Sequence, residues 1–573
     1  MADRERLVSR KPSAVGRDSS TAHGPRPTAN AYWLVVAAIV LLTVVRVAST
    51  HLVFAQTLDE PIHVAAGHEW LTRGTYQLDF EHPPLSRMLF ALPFLDVRAQ
   101  HSENQEYGND LFARDDRYIH NLAAARRGNL VFLIIASLAV AAIARKLFGD
   151  VVAWIALALF VSLPPVLAHA GLATTDMAST AGFAVALYAL LIWIDGSSWQ
   201  LAVRPLRDLA VGSETIENPL PDREAAELPT ANRQPSWKRT ILLGIAIAFG
   251  ACCKYSFLFF FPPAVLIVLI ARRRFPIAKL LVAGALSAIV IWGVFGFSIA
   301  TMASVNPKAQ HMARTAGVSE RILDVRVPAP DFLLGLLTVK AHNRAGHSAF
   351  LLGKVKYDGW WYYFPIALVV KTPIPFLILA ACGAWLLLKR RDPAIPLLLI
   401  AAAILGISMS ARINIGIRHL LPMYVPLAIV AASFVTRAKL ATYALLGWLV
   451  ITSALAHPDY LPWMNAFAGK HPEQVLADSN FDWGQDIWRL VRLCKSRGIR
   501  SLGYKVTTNI RGASVGITTG YPLDENQPSR GWMVLGDQDL ELAKLRNPTA
   551  FDWLTRNRDF ERFGKTLRLY HVE

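Results

Sequence analysis

The amino-acid sequence predicts an α-helical polytopic membrane protein of about 11 transmembrane helices that ends in a small extracytoplasmic α/β domain. Three observations lead there. The 573-residue chain is 53% hydrophobic and only 18% charged, too apolar for an ordinary soluble protein. Its apolar residues fall into long runs. Beyond residue 456 those runs give way to shorter, alternating patterns.

A bilayer core ~30 Å thick is crossed by about 20 apolar residues in a helix. Runs of this kind lie near 32–50, 129–145, 151–170, 177–194, 240–253, 256–271, 278–300, 361–388, 393–410, 420–436 and 440–456. The segments 240–253 and 256–271 are short for full crossings and predict a tight or partly re-entrant hairpin, its second arm bent at Pro262-Pro263. Residues 1–30 are polar and mixed in charge, and predict a disordered cytoplasmic tail. The first run lacks a small-residue cleavage site and is expected to be an uncleaved anchor. Residues 31–456 then make a membrane domain with loops at 51–128 and 301–360, and residues 457–573 a separate domain. In the latter, "DIWRLVRLCKSRG", "RSLGYKV", "GWMVLGD" and "TLRLYHV" alternate helix-like and strand-like patterns.

Short basic clusters fix the expected orientation. They occur at Arg4, Arg6, Arg10 and Lys11, at Arg145-Lys146, in the 204–239 loop, at Arg272-Arg273-Arg274, at Lys389-Arg390-Arg391, and at Arg437 and Lys439. All fall on one side of the span count, which the positive-inside rule makes the cytoplasm. The segments 51–128, 301–360 and 457–573 are then extracytoplasmic, with the N-terminus inside. The net charge of +17 reports this topology and contact with anionic membrane lipids, not nucleic acid. Cys252, Cys253 and Cys382 lie in membrane segments and Cys494 stands alone, so no disulfide framework or metal-ligand spacing follows. No internal repeat is visible by eye.

Ionisable groups are costly in a bilayer and therefore mark sites. Here Asp59, Glu60, His82, Asp176, Lys254, Lys371, Arg412, Arg418 and His419 all fall at or near the extracytoplasmic ends of helices. In "TLDEPIH", Asp59 or Glu60 before Pro61 suits a helix N-cap with Gly74 as terminator. It equally suits a general base whose pKa is raised at a partly dry interface, and spacing does not separate the two. "DFEHPPLSRMLFALPF" predicts an extended entry at Pro83-Pro84 and then an amphipathic interfacial helix, with His82 a turn residue. "LATTDMAST" makes Asp176 part of an ordinary cap, and Lys254 fits a snorkelling lysine. "RINIGIRHLLP" brings Arg412, Arg418 and His419 to one helix start, where three potential cations suit an anionic lipid head. Asp537-Gln538-Asp539 matches the Asp-x-Asp of soluble glycosyltransferases, but "GDQDLELAKL" fits a strand end running into a capped helix better.

The order of these motifs resembles the GT-C superfamily of membrane glycosyltransferases: an acidic pair after the first span, "EHPPL", an Asp at an outward helix start, then "NIGIRHLLP" and "DSNFDWGQD". More closely, it is similar to the bacterial lipid-carrier-dependent relatives of protein O-mannosyltransferases and aminoarabinose transferases, over most of residues 32–500. The resemblance implies a GT-C-like catalytic domain in a bacterial inner membrane. It implies transfer of a monosaccharide from a polyprenyl-phosphate carrier to an extracytoplasmic hydroxyl of a protein, lipid or glycan, with inversion. Position by position, it implies Asp59-Glu60 as the catalytic acidic motif with Asp59 acting on the acceptor, Asp176 as a supporting acid and Arg418 as the late-loop cation. His82 stands where the family often has a lysine near the carrier phosphate, and histidine is only partly charged near neutral pH. Lys254, Arg412 and His419 complete the expected set for the donor phosphate and lipid head. No metal ligand is assigned, although Asp59, Glu60 and Asp176 leave a divalent metal open.

The chemistry agrees. A polyprenyl-phosphate sugar carries its own leaving group and needs cations, whereas an acceptor hydroxyl needs a base during attack. A transporter or flippase of lipid-linked saccharides predicts instead polar residues along a crossing path and an internal repeat. A non-catalytic assembly protein predicts tolerance of Asp59 loss.

Overall fold

The computed structural model describes residues 29–195, 235–315, 317–510, 519–556 and 559–573. The N-terminal tail with its basic cluster, and most of the 204–239 loop, lie outside the described residues. The order of elements begins with α1 (Ala29–Ala48), α2 (Glu60–Arg73), α3 (Pro84–Ala91), α4 (Asn104–Ala113), α5 (Tyr118–Phe148), α6 (Asp150–Phe160), α7 (Pro164–Ala170) and α8 (Thr175–Asp195). It continues with α9 (Trp237–Cys253), α10 (Phe257–Arg272) and α11 (Ile277–Val294).

Among the described residues, five helical segments are long and apolar enough to cross a membrane, or up to seven if each of two bent pairs is one span. This differs from the predicted count of about 11. The difference has two sources. The run 151–170 breaks into α6 and α7, bent by 68°. The run 361–388 breaks into α15 (Tyr363–Lys371) and α16 (Ile374–Arg390), bent by 113°. Both breaks precede a proline, Pro164 and Pro373, which bars the residue before it from helical geometry. The run near 240–253 lies in α9, which has 17 residues, and the runs near 256–271, 393–410 and 440–456 form shorter apolar helices: α10, α17 (Ile395–Met409) and α19 (Lys439–Leu455). Helix α10 runs on through Pro262 and Pro263.

Burial orders the bundle. In α8, 83% of the apolar window is buried inside the protein, against 11% in α11, so α8 is central and α11 is at the rim, where lipid replaces protein contacts. Helices α8 and α9 approach closely because both lack a side chain at the crossing. A Cβ on Gly182 would lie 2.7 Å from the Cα of Gly250, the small-residue packing that membrane interiors favour.

The stretch between α1 and α5 is folded against the bundle. Gly74, with φ of 64°, ends α2 in a left-handed cap, as "TLDEPIH…G" predicts. Helix α3 buries Pro84, Ser86, Arg87, Phe90 and Ala91, so its buried face includes an arginine as well as apolar groups. The predicted loop 301–360 is also structured. It holds α12 (Pro307–Thr315), α13 (Glu320–Leu323) and α14 (Pro330–Ala345). The strands β1 (Ile299–Thr301) and β2 (Arg326–Pro328) pair there, as do β3 (Ala349–Leu351) and β4 (Lys354–Lys356).

After α18 (Tyr424–Ser433) and α19, the chain leaves the bundle and forms α20 (Ile487–Arg497), β5 (Ser501–Lys505), β6 (Thr519–Pro522), β7 (Gly531–Gly536) and α21 (Asp537–Arg546). A short α22 (Asp552–Thr555), β8 (Glu561–Phe563) and β9 (Leu567–Val572) complete it. The five strands form a mixed sheet in the order β6-β5-β7-β9-β8, so a small C-terminal sheet domain is present as predicted. At the end of β7, Asp537 binds Arg562 (2.6 Å) and Arg568 while Asp539 accepts the Thr507 N–H (2.9 Å). The two carboxylates thus serve separate local partners at a strand end leading into α21.

Burial pushes the Asp539 carboxyl up to about 6, even though the Thr507 hydroxyl and N–H both bond to it. Its unfolded value is about 3.9, so the folded domain holds this proton more tightly. Stability therefore falls as pH rises from about 4 to about 6 and levels off above. Tryptophan-monitored melting of the full chain across this window is expected to show that decline, and Asp539→Asn, which keeps an acceptor for Thr507, is expected to flatten it. An unchanged slope in the variant would assign the decline to another group.

Candidate active site

The site is built on the chain between α1 and α2, and Arg126 of α5 sets its path. This fully buried guanidinium donates to the carbonyls of His51 (3.2 Å), Phe54 (3.0 Å) and Ala55 (2.7 Å). It also binds Glu60 through Nε–Oε1 (2.7 Å) and Nη2–Oε2 (2.8 Å). Glu60 accepts in addition from the Thr57 N–H and the Ala173 N–H, each at 2.8 Å. Its lone pairs are used, and it does not line the cavity beside it. The expectation that Glu60 shares catalysis with Asp59 is thereby corrected: Glu60 is a buried structural ion.

Asp59 points elsewhere. It occupies the N-cap position of α2 but makes no capping hydrogen bond with its side chain. Its Oδ2 accepts from Arg418 Nη1 at 2.7 Å, and its side chain is 32% exposed to a cavity of about 820 Å³. Burial opposes ionisation of Asp59, but Arg418, with His63 and His82 nearby, outweighs it and holds the carboxyl below the usual carboxylate value. A raised value, as for a general base at a partly dry interface, is therefore not found: the surrounding cations together set the opposite direction.

The cavity collects most of the expected residues. His82, Lys254, Arg418 and His419 line it together with Asp59. Lys254, with 13% exposure, pairs with Asp176 at the start of α8, so it is held in place and not snorkelling. Asp176 lies behind that lysine. Arg412 is outside: its side chain is 55% exposed and donates to the Arg344 carbonyl at 3.0 Å. It is withdrawn from the lipid-head set. Asp59, Glu60 and Asp176 each face a different cation of the protein, so they do not converge on one divalent ion. The cavity is also lined by apolar side chains, among them Ile62, Phe259, Phe260, Phe364 and Ile407.

The structure also brings in residues that sequence reasoning missed. "DSNFDWGQD", which the sequence left without a role, contributes two residues to the lining. Trp483 lies under the Arg418 guanidinium, 4.3 Å from its ring centroid, and Asp478 and Trp483 both line the cavity. Asn480 accepts from the Ile417 N–H (2.9 Å) and donates to the Tyr363 hydroxyl (2.8 Å). Lys371 donates to the carbonyls of Leu461, Trp463 and Asn480 at 2.6–2.8 Å. The same motif reaches the Asp59 loop, since Ala55 N–H donates to the Gln485 carbonyl (2.9 Å) and Leu58 N–H to that of Trp483 (3.2 Å). The tail thus holds both members of the Asp59–Arg418 pair. Its density of Asp, Asn and Gln beside a tryptophan was the available signal. The second missed group is His63 and Asp79, which stand with His82 on the cavity wall. Glu69 shapes the turn that carries Asp79 by accepting the N–H groups of Gln77 (3.0 Å) and Leu78 (2.9 Å).

The two adjacent acids are expected to fail differently. Glu60→Ala strands the buried Arg126 charge and should cost about 3–5 kcal/mol, read as a large fall in melting temperature or loss of folded protein. Asp59→Asn keeps an oxygen acceptor for Arg418 beside the cavity, where the guanidinium also rests on Trp483, and should lower the melting temperature by much less than Glu60→Ala.

No protein-family model matches the chain, and no curated protein matches it. Solved structures do resemble it. ArnT from Cupriavidus metallidurans bound to undecaprenyl phosphate aligns over 94% of this chain and 98% of its own, with 12% identity and a TM-score of 0.47. The archaeal oligosaccharyltransferase AglB from Archaeoglobus fulgidus, in complex with an inhibitory peptide and a dolichol-phosphate, aligns over 87% of this chain and 62% of its own, with 13% identity and a TM-score of 0.40. At TM-scores below 0.5 this is a likeness only, and the functional reading rests on the residues of the cavity.

Proposed function

We propose that this protein is a membrane glycosyltransferase that moves a monosaccharide from a polyprenyl-phosphate carrier to an acceptor hydroxyl, with inversion. The observation that carries this reading is one cavity lined together by the partly exposed Asp59 carboxylate paired with Arg418, by Lys254, and by apolar side chains. A lipid-borne sugar phosphate needs those three features together: a base, cations and a surface for the lipid. The basic ends of α5, α10 and α16 carry Arg145-Lys146, Arg272 and Lys389-Arg390. They support an arrangement in which those ends are cytoplasmic and the cavity opens on the other face.

In the reaction, the acceptor oxygen attacks the anomeric carbon as Asp59 takes its proton. The carbon–oxygen bond to the carrier breaks, and its electron pair leaves on the phosphate. Arg418 and Lys254 oppose the charge that gathers there. Trp483 beneath Arg418 and the helices α2 and α3 limit water, which would otherwise hydrolyse the donor.

The test uses purified full-length protein in lipid, a panel of polyprenyl-phosphate sugars with candidate acceptors, and release of the carrier phosphate. Wild type is expected to turn over one donor. Asp59→Asn is expected to lose at least ~100-fold in kcat, the usual scale of a lost general base, while still binding the carrier. Equal turnover by the folded variant would remove Asp59 from the chemistry, and no turnover of any donor would favour transport or assembly. Arg418→Gln is expected to raise the carrier KM as well as lower kcat, because it removes a charge present throughout binding and leaving.

A further inference from the structure

We propose that His63, Asp79 and His82 form a binding site for one divalent transition-metal ion, with an open coordination position facing the cavity. One ligand atom from each residue lies within 4.8 Å of the others. Asp79 Oδ2 is the hinge of the group, 3.0 Å from His82 Nδ1 and 3.7 Å from His63 Nδ1. The two imidazole rings stand nearly perpendicular, at 85°, with centroids 4.8 Å apart. His63 Nδ1 is buried and has no hydrogen-bond partner, and an orphaned buried nitrogen aimed at a carboxylate is an open ligand position. Ligand atoms about 2.1 Å from a tetrahedral ion lie roughly 3.4 Å from one another, so the Asp79–His82 and Asp79–His63 separations are a few tenths of an ångström from that spacing, within the reach of small side-chain rotations.

The ligands are held from behind. Asp79 Oδ1 accepts the Glu81 N–H at 2.9 Å, and Arg87 contacts Oδ2 at 3.1 Å while donating to the Asp79 carbonyl at 2.8 Å. Partners of this kind orient metal ligands. A Cβ on Gly67 would lie 2.0 Å from the Arg87 carbonyl oxygen, so the bare backbone of α2 lets α3 bring Arg87 in behind Asp79. Two imidazoles and one carboxylate suit Zn²⁺, Mn²⁺ or Co²⁺ better than Mg²⁺ or Ca²⁺, which favour all-oxygen sets. His63, Asp79 and His82 all line the cavity, so three protein ligands leave a position there for an oxygen of a bound molecule.

Charge gives the ion a use. Arg418 and Lys254 meet a phosphate while each is also paired with a carboxylate, Asp59 and Asp176, so a phosphate dianion gains from a further positive charge beside them; Lys308 and Lys340 are exposed. A bound dication would supply it for a phosphate oxygen. That use rests on the proposed glycosyltransfer, whereas metal binding itself does not.

Full-length protein is stripped with chelator, titrated with Zn²⁺, freed of unbound ion and assayed for metal by mass spectrometry. One ion per chain is expected, falling at least tenfold in His63→Gln and in His82→Gln. His82 is 27% exposed, so its variant should fold even if the His63 change does not, and His120→Gln on the distant start of α5 should retain the ion. Co²⁺ loading is expected to give d–d bands that shift when undecaprenyl phosphate is added. No retained ion in wild type, or equal retention in both His variants, overturns the site. Retention lost in the variants but Co²⁺ bands that ignore undecaprenyl phosphate uphold the site and overturn its phosphate role. Because the metal count needs no turnover, it stands or falls separately from the donor assay.

Discussion

Everything at the site depends on how Arg126 is neutralised. A guanidinium buried in a membrane helix is tolerable only if each of its donors is met, and no single acidic side chain can meet five. Glu60 takes two of the contacts, and the carbonyls of His51, Phe54 and Ala55 take the rest. The backbone from the end of α1 to the start of α2 is therefore wound around one charge. Asp59, the residue before Glu60, is turned toward the cavity as a consequence.

The second constraint is the pairing of Asp59 with Arg418 across 359 residues of sequence. Arg418 needs the indole of Trp483 and the carboxylate of Asp59 to be stable where it sits. Asp59 in turn stays ionised because Arg418 outweighs the cost of burial. A carboxylate held this way is a weaker base than one raised by desolvation, but it is unprotonated at neutral pH, and the acceptor hydroxyl becomes acidic only as its bond to carbon forms. In the proposed reaction the arginine would serve two purposes, holding Asp59 ionised and presenting charge to the departing phosphate.

The C-terminal segment makes this arrangement rigid. Lys371 ties three carbonyls of the tail to the end of α15, and Asn480 links the residue before Arg418 to Tyr363. The motif that carries Asn480 and Trp483 also bonds to Ala55 and Leu58, close to Asp59. The tail thus reaches the cavity lining at Asp478 and Trp483 while its other polar groups hold the loops around it.

What the sequence determined by itself were properties that short stretches decide alone. Hydropathy marked the apolar runs, Gly74 the end of α2, and Pro83-Pro84 the entry to α3. It also showed polar residues gathered at one face, with Asp59, His82, Lys254 and Arg418 among them. Only the tertiary structure decided which of two adjacent acids lines the cavity, because the partners that separate Asp59 from Glu60 lie 359 and 66 residues away. The same holds for Arg412, excluded from the cavity although six residues from Arg418, and for His63, Asp79 and His82, whose convergence depends on α2 and α3 meeting at Gly67. It holds also for the helix count, since hydropathy measures the length of a run and not the bend that Pro164 or Pro373 puts in it. Local rules fix what a segment is, but the direction of a side chain and the identity of its partner are set by contacts between segments distant in the chain.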